Sequence, residues 1–238
     1  MLPILYQDAH LIAIDKPAGL LVHRTGLDAG ETRFALQLLR DQIGQPVWPV
    51  HRLDKGTSGV LLFALDAACA RELALAFEAG AVRKTYQAVV RGWPPDAGLI
   101  EHPLARLADD ARASRIVDAQ PARTRFRRLA RYALPLPDRA FAHTRCALLE
   151  LVPETGRRHQ LRRHCKHMAH PIIGDATHGK GPLNRAVAAL LGVQRLWLHA
   201  STLTLAHPVD GRTLCLRAPP RPEWVRWEGH AVGADALG

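Results

Sequence analysis

His51-Arg-Leu-Asp-Lys-Gly-Thr-Ser-Gly-Val-Leu-Leu-Phe-Ala64 is the stretch on which the reading of the fold turns. Lys55 to Gly59 is dense in turn formers. Val60 to Leu65 is a short continuous apolar run of the kind found in a strand buried on both faces. The stretch therefore predicts a turn feeding a core strand. Asp54 sits at the mouth of that strand, with Arg52 two residues earlier, and in extended chain two side chains so spaced point the same way. Read alone, Asp54 is first a turn former whose carboxylate bonds nearby backbone N–H groups.

Upstream, Leu2 to Tyr6 and Leu11 to Ile14 read as short strands about Gln7-Asp8. Asp15-Lys16-Pro17-Ala18-Gly19 then makes a turn in which Lys16 adds positive charge at a rim. Thr32 is placed to cap a helix through Phe34, Leu36, Leu39 and Ile43, with Gly44 as its stop. Downstream, Asp66 is a good N-cap for a second helix with Leu73, Ala76 and Phe77 as its apolar stripe and Gly80 as its end. Lys84 to Gly92 reads as a strand with Tyr86 and Ala88 on one face. Such a Tyr is ordinarily half-buried core with its hydroxyl bonded.

Asp109-Asp110-Ala111-Arg112 and Leu134-Pro-Leu-Pro137 look like loop or insertion. Between them Arg123, Arg125, Arg127, Arg128 and Arg131 form a basic cluster without an acid, on an alternating stretch that predicts a strand with one solvated face; phosphate contact is the second reading. Cys146 to Val152 predicts another strand. After Thr155-Gly156 a helix is expected from near Arg157, with Leu161, Cys165 and Met168 facing the core and Arg158, His159, Arg162, Arg163 and Lys166 on its other faces. Its N-terminus and basic side chains suit phosphates. Alternation on either side of Asp210-Gly211 predicts a hairpin.

The chain has 238 residues, 47% of them hydrophobic, enough for a sizeable core. A formal net charge of +10 and a pI near 10.2 favour a polyanionic partner, most simply nucleic acid. Aromatics at 5% leave little for a single-strand stacking platform. No apolar run approaches the roughly 20 residues that span a bilayer. Asp8, Asp15 and Lys16 interrupt any signal-peptide core. Cys69, Cys146, Cys165 and Cys215, scattered with no CxxC, read as reduced thiols of a cytoplasmic protein.

The word HRLDxxTSG at His51 to Gly59 resembles the signature of the RluA-type pseudouridine synthases, and three further words fall in the family's order. They are the Lys-Pro-Ala-Gly turn at Lys16, the KxYxAxVxG strand at Lys84, and PxTGRxHQLRxH from Pro153 to His164 with its Pro-Ile-Ile-Gly-Asp175 extension. Leu-His-Ala from Leu198 and His207-Pro208 resemble the family's closing word. Where the family commonly has Tyr-Gly after Gly-Asp, this chain has His178-Gly179. The resemblance implies an RNA-modifying isomerase that needs no cofactor, with Asp54 as the catalytic carboxylate and Arg162 as the guanidinium that keeps it anionic. It further implies Tyr86 stacking on the target uracil, Arg52 holding the opened strand, and Leu198 at the active-site wall. Lys16, Arg157, His159, Arg163 and Lys166 are the expected RNA contacts. The implied architecture is α+β: a mixed, largely antiparallel sheet with flanking helices and a central basic cleft. The expected organisation is one catalytic domain over 1–228, without an N-terminal S4-type module, and a frayed tail over 229–238.

The wording IGQPVWPVHRLDKGTSGVLLF, TGRRHQLRRHCKHMAHPIIGD and LGVQRLWLHAS brings the chain nearest to the branch that acts on uridine 65 of tRNA. The expected partner is thus RNA, a tRNA first, for a monomer that touches no membrane. An rRNA-directed synthase and a non-catalytic basic RNA-binding protein are the alternatives. The histidines and cysteine from His159 to His170 raise a metal reading as well. Their spacing matches neither HExxH nor paired CxxC with HxxxH, and Arg162, Arg163 and Lys166 would repel a cation, so no metal is assigned.

Overall fold

The computed structural model of the protein describes residues 1–23, 30–106, 117–137 and 142–233. In chain order the elements are β1 (Ile4–Gln7), β2 (Leu11–Lys16), α1 (Ala35–Ile43), β3 (Trp48–Pro49), β4 (Ser58–Ala64), α2 (Ala67–Glu78), β5 (Arg83–Arg91), β6 (Ala97–Glu101), β7 (Leu104–Arg106), β8 (Val117–Gln120), β9 (Arg123–Leu134), β10 (Thr144–Pro153), α3 (Gln160–His167), α4 (Gly181–Leu191), β11 (Leu198–Ala206) and β12 (Thr213–Arg217). A 3-10 turn over Pro222–His230 and β13 (Ala231–Val232) follow. This is the expected α+β composition, and β1–β2, β2–β4, β5–β10, β9–β10 and β11–β12 pair antiparallel. The chain forms two compact units.

The first unit comprises residues 1–85, 105–119 and 200–219. Its strand order is β1-β2-β4-β11, with β3 beside β4 and β12 beside β11. Every residue of β2 and β4 is buried, the outcome an uninterrupted apolar run requires. Val60, Leu62 and Ala64 from β4 meet Leu11 and Ala13 from β2, Cys69 and Leu73 from α2, and Leu203 and Leu205 from β11 in one core. Leu61 and Phe63 point the other way and are equally enclosed. Gly59 is obligatory. Its φ is +109°, and a Cβ there would lie 2.2 Å from the Ala200 carbonyl oxygen, so only glycine lets β11 run this close. Asp66 caps α2 as expected, accepting from the Cys69 N–H at 2.8 Å. Thr32 does not cap α1: the helix starts after extended Phe34, with no side-chain cap, and ends on left-handed Gly44.

The second unit comprises residues 86–104, 120–199 and 220–238. Its strand order is β5-β10-β9-β13, with β6 paired to β9. One face of β5 and β10, carrying Ala88, Val90, Ala147, Leu149 and Leu151, packs with Leu161 and Cys165 of α3 and with Ile172 and Leu198. The other face, with Val89 and Cys146, packs with Val187 and Leu191 of α4 and with Trp197, Trp224 and Trp227. Within the stretch expected to fray from about Gly229, Ala231 and Val232 pair with Tyr132 and Arg131; residues 234–238 lie outside the described residues. So does the Asp109-Asp110-Ala111-Arg112 loop. Leu134, expected in a loop, closes β9.

Candidate active site

The loop that carries Asp54 is fixed at three points within the first unit. At its start, the His51 ring stacks on Phe77 of α2, with centroids 4.8 Å apart, and its Nε2 accepts from the Leu62 N–H of β4 at 3.0 Å. The nitrogen that accepts carries no proton, so the ring is neutral. Burial, with the Lys84 ammonium nearby, pushes its pKa down to about 3. At its middle, Leu53 is buried. At its end, the Lys55 carbonyl accepts from the Gly19 N–H at 2.8 Å and from Lys16 Nζ at 3.2 Å. Between these anchors Asp54 is half-buried and Arg52 exposed. The Thr57 N–H donates to the Asp54 carbonyl at 3.0 Å, closing the turn into β4.

Lys16 stands elsewhere than expected. It is 0% exposed, and its ammonium donates to the carbonyls of Pro17 (3.0 Å), Leu20 (2.6 Å) and Lys55 (3.2 Å). A lysine at the end of a strand buried on both faces has no route to a rim. It ties the Lys-Pro-Ala-Gly turn to the Asp54 loop instead. The exposed end of that loop is tethered by the Lys55–Glu31 ion pair at 2.6 Å.

In the second unit, α3 starts at Gln160, three residues later than expected, after left-handed His159 (φ 54°). The Gln160 amide explains the start. Its Oε1 accepts from Thr155 Oγ1 (2.7 Å) and the Arg157 N–H (2.9 Å), while its Nε2 donates to the Arg123 carbonyl (2.9 Å) and Thr124 Oγ1 (3.0 Å). One turn on, the buried His164 bridges Thr124 Oγ1 (2.9 Å) and the His102 carbonyl (3.1 Å). With Gln160, Leu161, His164 and Cys165 all turned inward, the face of Arg162 is set. Its Nε and Nη2 donate to Asp175 Oδ2 (2.7 Å) and Oδ1 (2.9 Å). Asp175 is 1% exposed and also accepts from the N–H groups of Thr177 (2.9 Å) and His178 (2.8 Å). Burial works to raise this carboxyl, but the hydrogen bonds and charge of Arg162 and the two N–H groups prevail and hold it below the usual carboxylate range.

Asn184 braces the same turn from α4, its Oδ1 accepting from the Gly174 N–H (2.9 Å) and its Nδ2 donating to the Asp175 carbonyl (3.0 Å). Asp175 ends the Pro-Ile-Ile-Gly-Asp stretch, whose sequence alone assigns it no role. Nothing in the sequence pointed to Asn184. Of the other expected residues, Tyr86 is half-buried at the edge of the α3 core and Leu198 is buried in it. Arg157 and Lys166 are exposed, while His159 and Arg163 are half-buried.

The arginines of β9 are not the acid-free cluster the local sequence suggested. Arg123 meets Glu101 (3.0 Å) and Glu154 (3.3 Å), Arg125 meets Glu154 (2.5 Å), and Arg127 meets Glu150 (3.3 Å). Arg128 pairs with Asp96. The acids come from the neighbouring strands β6 and β10, from the residue after β10 and from the turn before β6, which a reading along one strand cannot see. Arg131 and Arg145 lie over the Trp93 ring, at 5.3 and 4.5 Å. The histidines near α3 also disperse: His159 Nδ1 to His178 Nε2 at 3.3 Å, His167 stacked on His102 at 3.7 Å, and His170 Nδ1 to the Arg91 carbonyl at 2.7 Å. Burial pushes the Cys165 thiol up to about 12, as suits a core residue. No helix among the described residues is long and apolar enough to cross a membrane.

Comparison with known proteins bears on the whole chain. Residues 10–167 match the family described as RNA pseudouridylate synthase. The tRNA pseudouridine synthase C of Vibrio cholerae is 49% identical over 227 residues, 94% of this chain and 93% of that protein. Among solved structures, Human RNA Pseudouridylate Synthase Domain Containing 4 aligns at a TM-score of 0.70 and 28% identity, over 95% of this chain and 92% of that one. Human RNA Pseudouridylate Synthase Domain Containing 1, at a TM-score of 0.75 and 24% identity over 98% and 89%, shares the fold.

Proposed function

The chain belongs to the RNA pseudouridylate synthase family, and on that footing we propose that it isomerises one uridine of tRNA, at position 65, to pseudouridine. The relative from Vibrio cholerae supports tRNA as the substrate. The observation that carries the reading is the complete His51-to-Gly59 word on a loop fixed by His51, Lys16 and Lys55, with a half-buried carboxylate between the anchors.

The reaction breaks the N1–C1′ glycosidic bond, turns the base, and forms a C5–C1′ bond. The C5 proton leaves and N1 regains one, so atoms and electrons balance with no redox partner. Bond breaking builds positive charge on the sugar, which a carboxylate stabilises or traps. Asp54 serves while ionised, and an opposite charge favours that form. Arg162 has that task in this reading, and Asp175 fixes its guanidinium in direction. The uridine leaves its stack before reaction. Arg52, exposed two residues from Asp54, holds the opened strand, and Tyr86 stacks on the extruded base with Leu198 at the wall. Arg157, His159, Arg163 and Lys166 meet the RNA backbone. The protein works as a cytoplasmic monomer whose catalytic domain extends over 1–228.

Pseudouridine mapping in a strain lacking the gene tests this. Loss of the modification at tRNA position 65, restored by the wild-type gene and not by Asp54→Asn, is the expected result. Loss at an rRNA site would move the substrate to rRNA. An unchanged map would leave an RNA-binding protein without this chemistry.

A further inference from the structure

Lys84 is the second residue of β5, two positions before Tyr86 and, by the two-residue period of a strand, on its face. It is half-buried, and its ammonium has no hydrogen-bond or ion-pair partner among the described residues. Burial lowers its pKa. Its charge acts on the His51 ring, which it helps to keep neutral. That ring cannot turn to serve it: the Leu62 N–H occupies Nε2, and the stack on Phe77 fixes the plane.

A lysine on a surface strand ordinarily extends its head into water. Lys16, in the same unit, shows how this protein neutralises an enclosed ammonium, with three carbonyls aimed at it. Lys84 receives nothing comparable. A desolvated, uncompensated cation weighs against folding. Its retention at the head of the strand that carries Tyr86, beside the first residue of the Asp54 loop, makes sense where a ligand brings the missing anion.

We propose that Lys84 is the seat of one backbone phosphate of the substrate RNA, next to the nucleotide extruded towards Asp54. The inference rests on the reading above, since it takes the ligand to be RNA. The seat is a point-charge site: an ammonium has no planar fork for a bidentate grip, so it fixes the strand's position without reading its sequence.

The test is equilibrium binding of a tRNA transcript over a potassium chloride series, with the full chain carrying Asp54→Asn alone, with Lys84→Met, and with Lys84→Arg. Losing one phosphate contact flattens the plot of log affinity against log salt by about 0.9 for a duplex phosphate and about 0.7 for a single-stranded one. The Met variant is expected to show that flattening and the Arg variant to recover the slope. The unliganded Met protein should melt no lower than its parent, because an uncompensated charge has gone. An unchanged slope in the Met variant overturns the proposal. So does a Met variant that fails to fold or melts several degrees lower, which would make Lys84 a structural cation. Failure of the underlying reading appears separately, as tritium release from 5-tritiated uridine by the Asp54→Asn parent.

Discussion

Lys16 in the first unit and Arg162 in the second are both buried cations, and they are held by different means. The Lys16 ammonium donates to three backbone carbonyls drawn from two turns. The Arg162 guanidinium instead donates to both oxygens of one buried carboxylate. The difference follows from shape. A compact ammonium gathers dipoles from several directions and so cross-links loops, whereas a planar fork matches one carboxylate and so acquires a fixed direction. The first arrangement fixes the loop that bears Asp54. The second aims a charge. A basic chain thus spends its cations on building as well as on binding.

Deleting the acceptor or the donor should break the two arrangements unequally. Asp175→Ala leaves a buried guanidinium without its carboxylate and should destabilise by about 3–5 kcal/mol, read from denaturant midpoints at unchanged m-value. A loss below about 1 kcal/mol would mean that the pair adds direction but not stability. Lys16→Met strands the Pro17 and Leu20 carbonyls, while the Lys55 carbonyl keeps the Gly19 N–H. At about 1–3 kcal/mol per orphaned group, the expected loss is about 2–6 kcal/mol. Turnover should fall with it, because the Asp54 loop loses its tie to the neighbouring turn. Full turnover in a folded Lys16→Met protein would contradict the bracing role.

The His51 anchor gives the first unit a pH signature. Its ring is neutral when folded, with a pKa near 3, but takes a proton near pH 6.5 when unfolded. Between those values the unfolded chain binds more protons, so stability falls as pH drops from about 6.5 towards 3, by at most about 1.4 kcal/mol per pH unit from this group. Asp175, depressed by its pairing, adds loss in the same direction, since its contribution is present above the unfolded carboxylate pKa and disappears as pH falls through the folded one. His51→Gln should flatten the whole limb from about pH 6.5 to 3 and leave the carboxylate loss at its acid end. An identical profile for both proteins would remove His51 from the account. The smallest effect belongs to the exposed β9 pairs: Arg125→Ala should shift stability by less than about 1 kcal/mol.

What the sequence made legible follows the range over which each signal acts. β4 was readable because an unbroken apolar run has few other places to go, and α2 because Asp66 caps locally. The α3 segment was readable for its inward residues but not for its start. The Gln160 network draws on Arg123 and Thr124, far off in the chain. For the same reason the β9 arginines seemed acid-free, their carboxylates lying on β10 and just after it, on β6 and before it. Lys16 read as a rim charge because lysine usually is one; its enclosure depends on carbonyls at 17, 20 and 55 meeting around it. Family resemblance supplied Asp54 its role where turn chemistry alone favoured a plain capping carboxylate.

The central claim is that the Asp54 carboxylate performs the isomerisation. Tritium release from a 5-tritiated uridine tRNA transcript, with wild-type and Asp54→Asn proteins side by side, meets it most directly. Release approaching one tritium per transcript by the wild type and none above background by an equally folded, RNA-binding Asp54→Asn protein is the predicted result. Release by the Asn protein at the wild-type rate would contradict it.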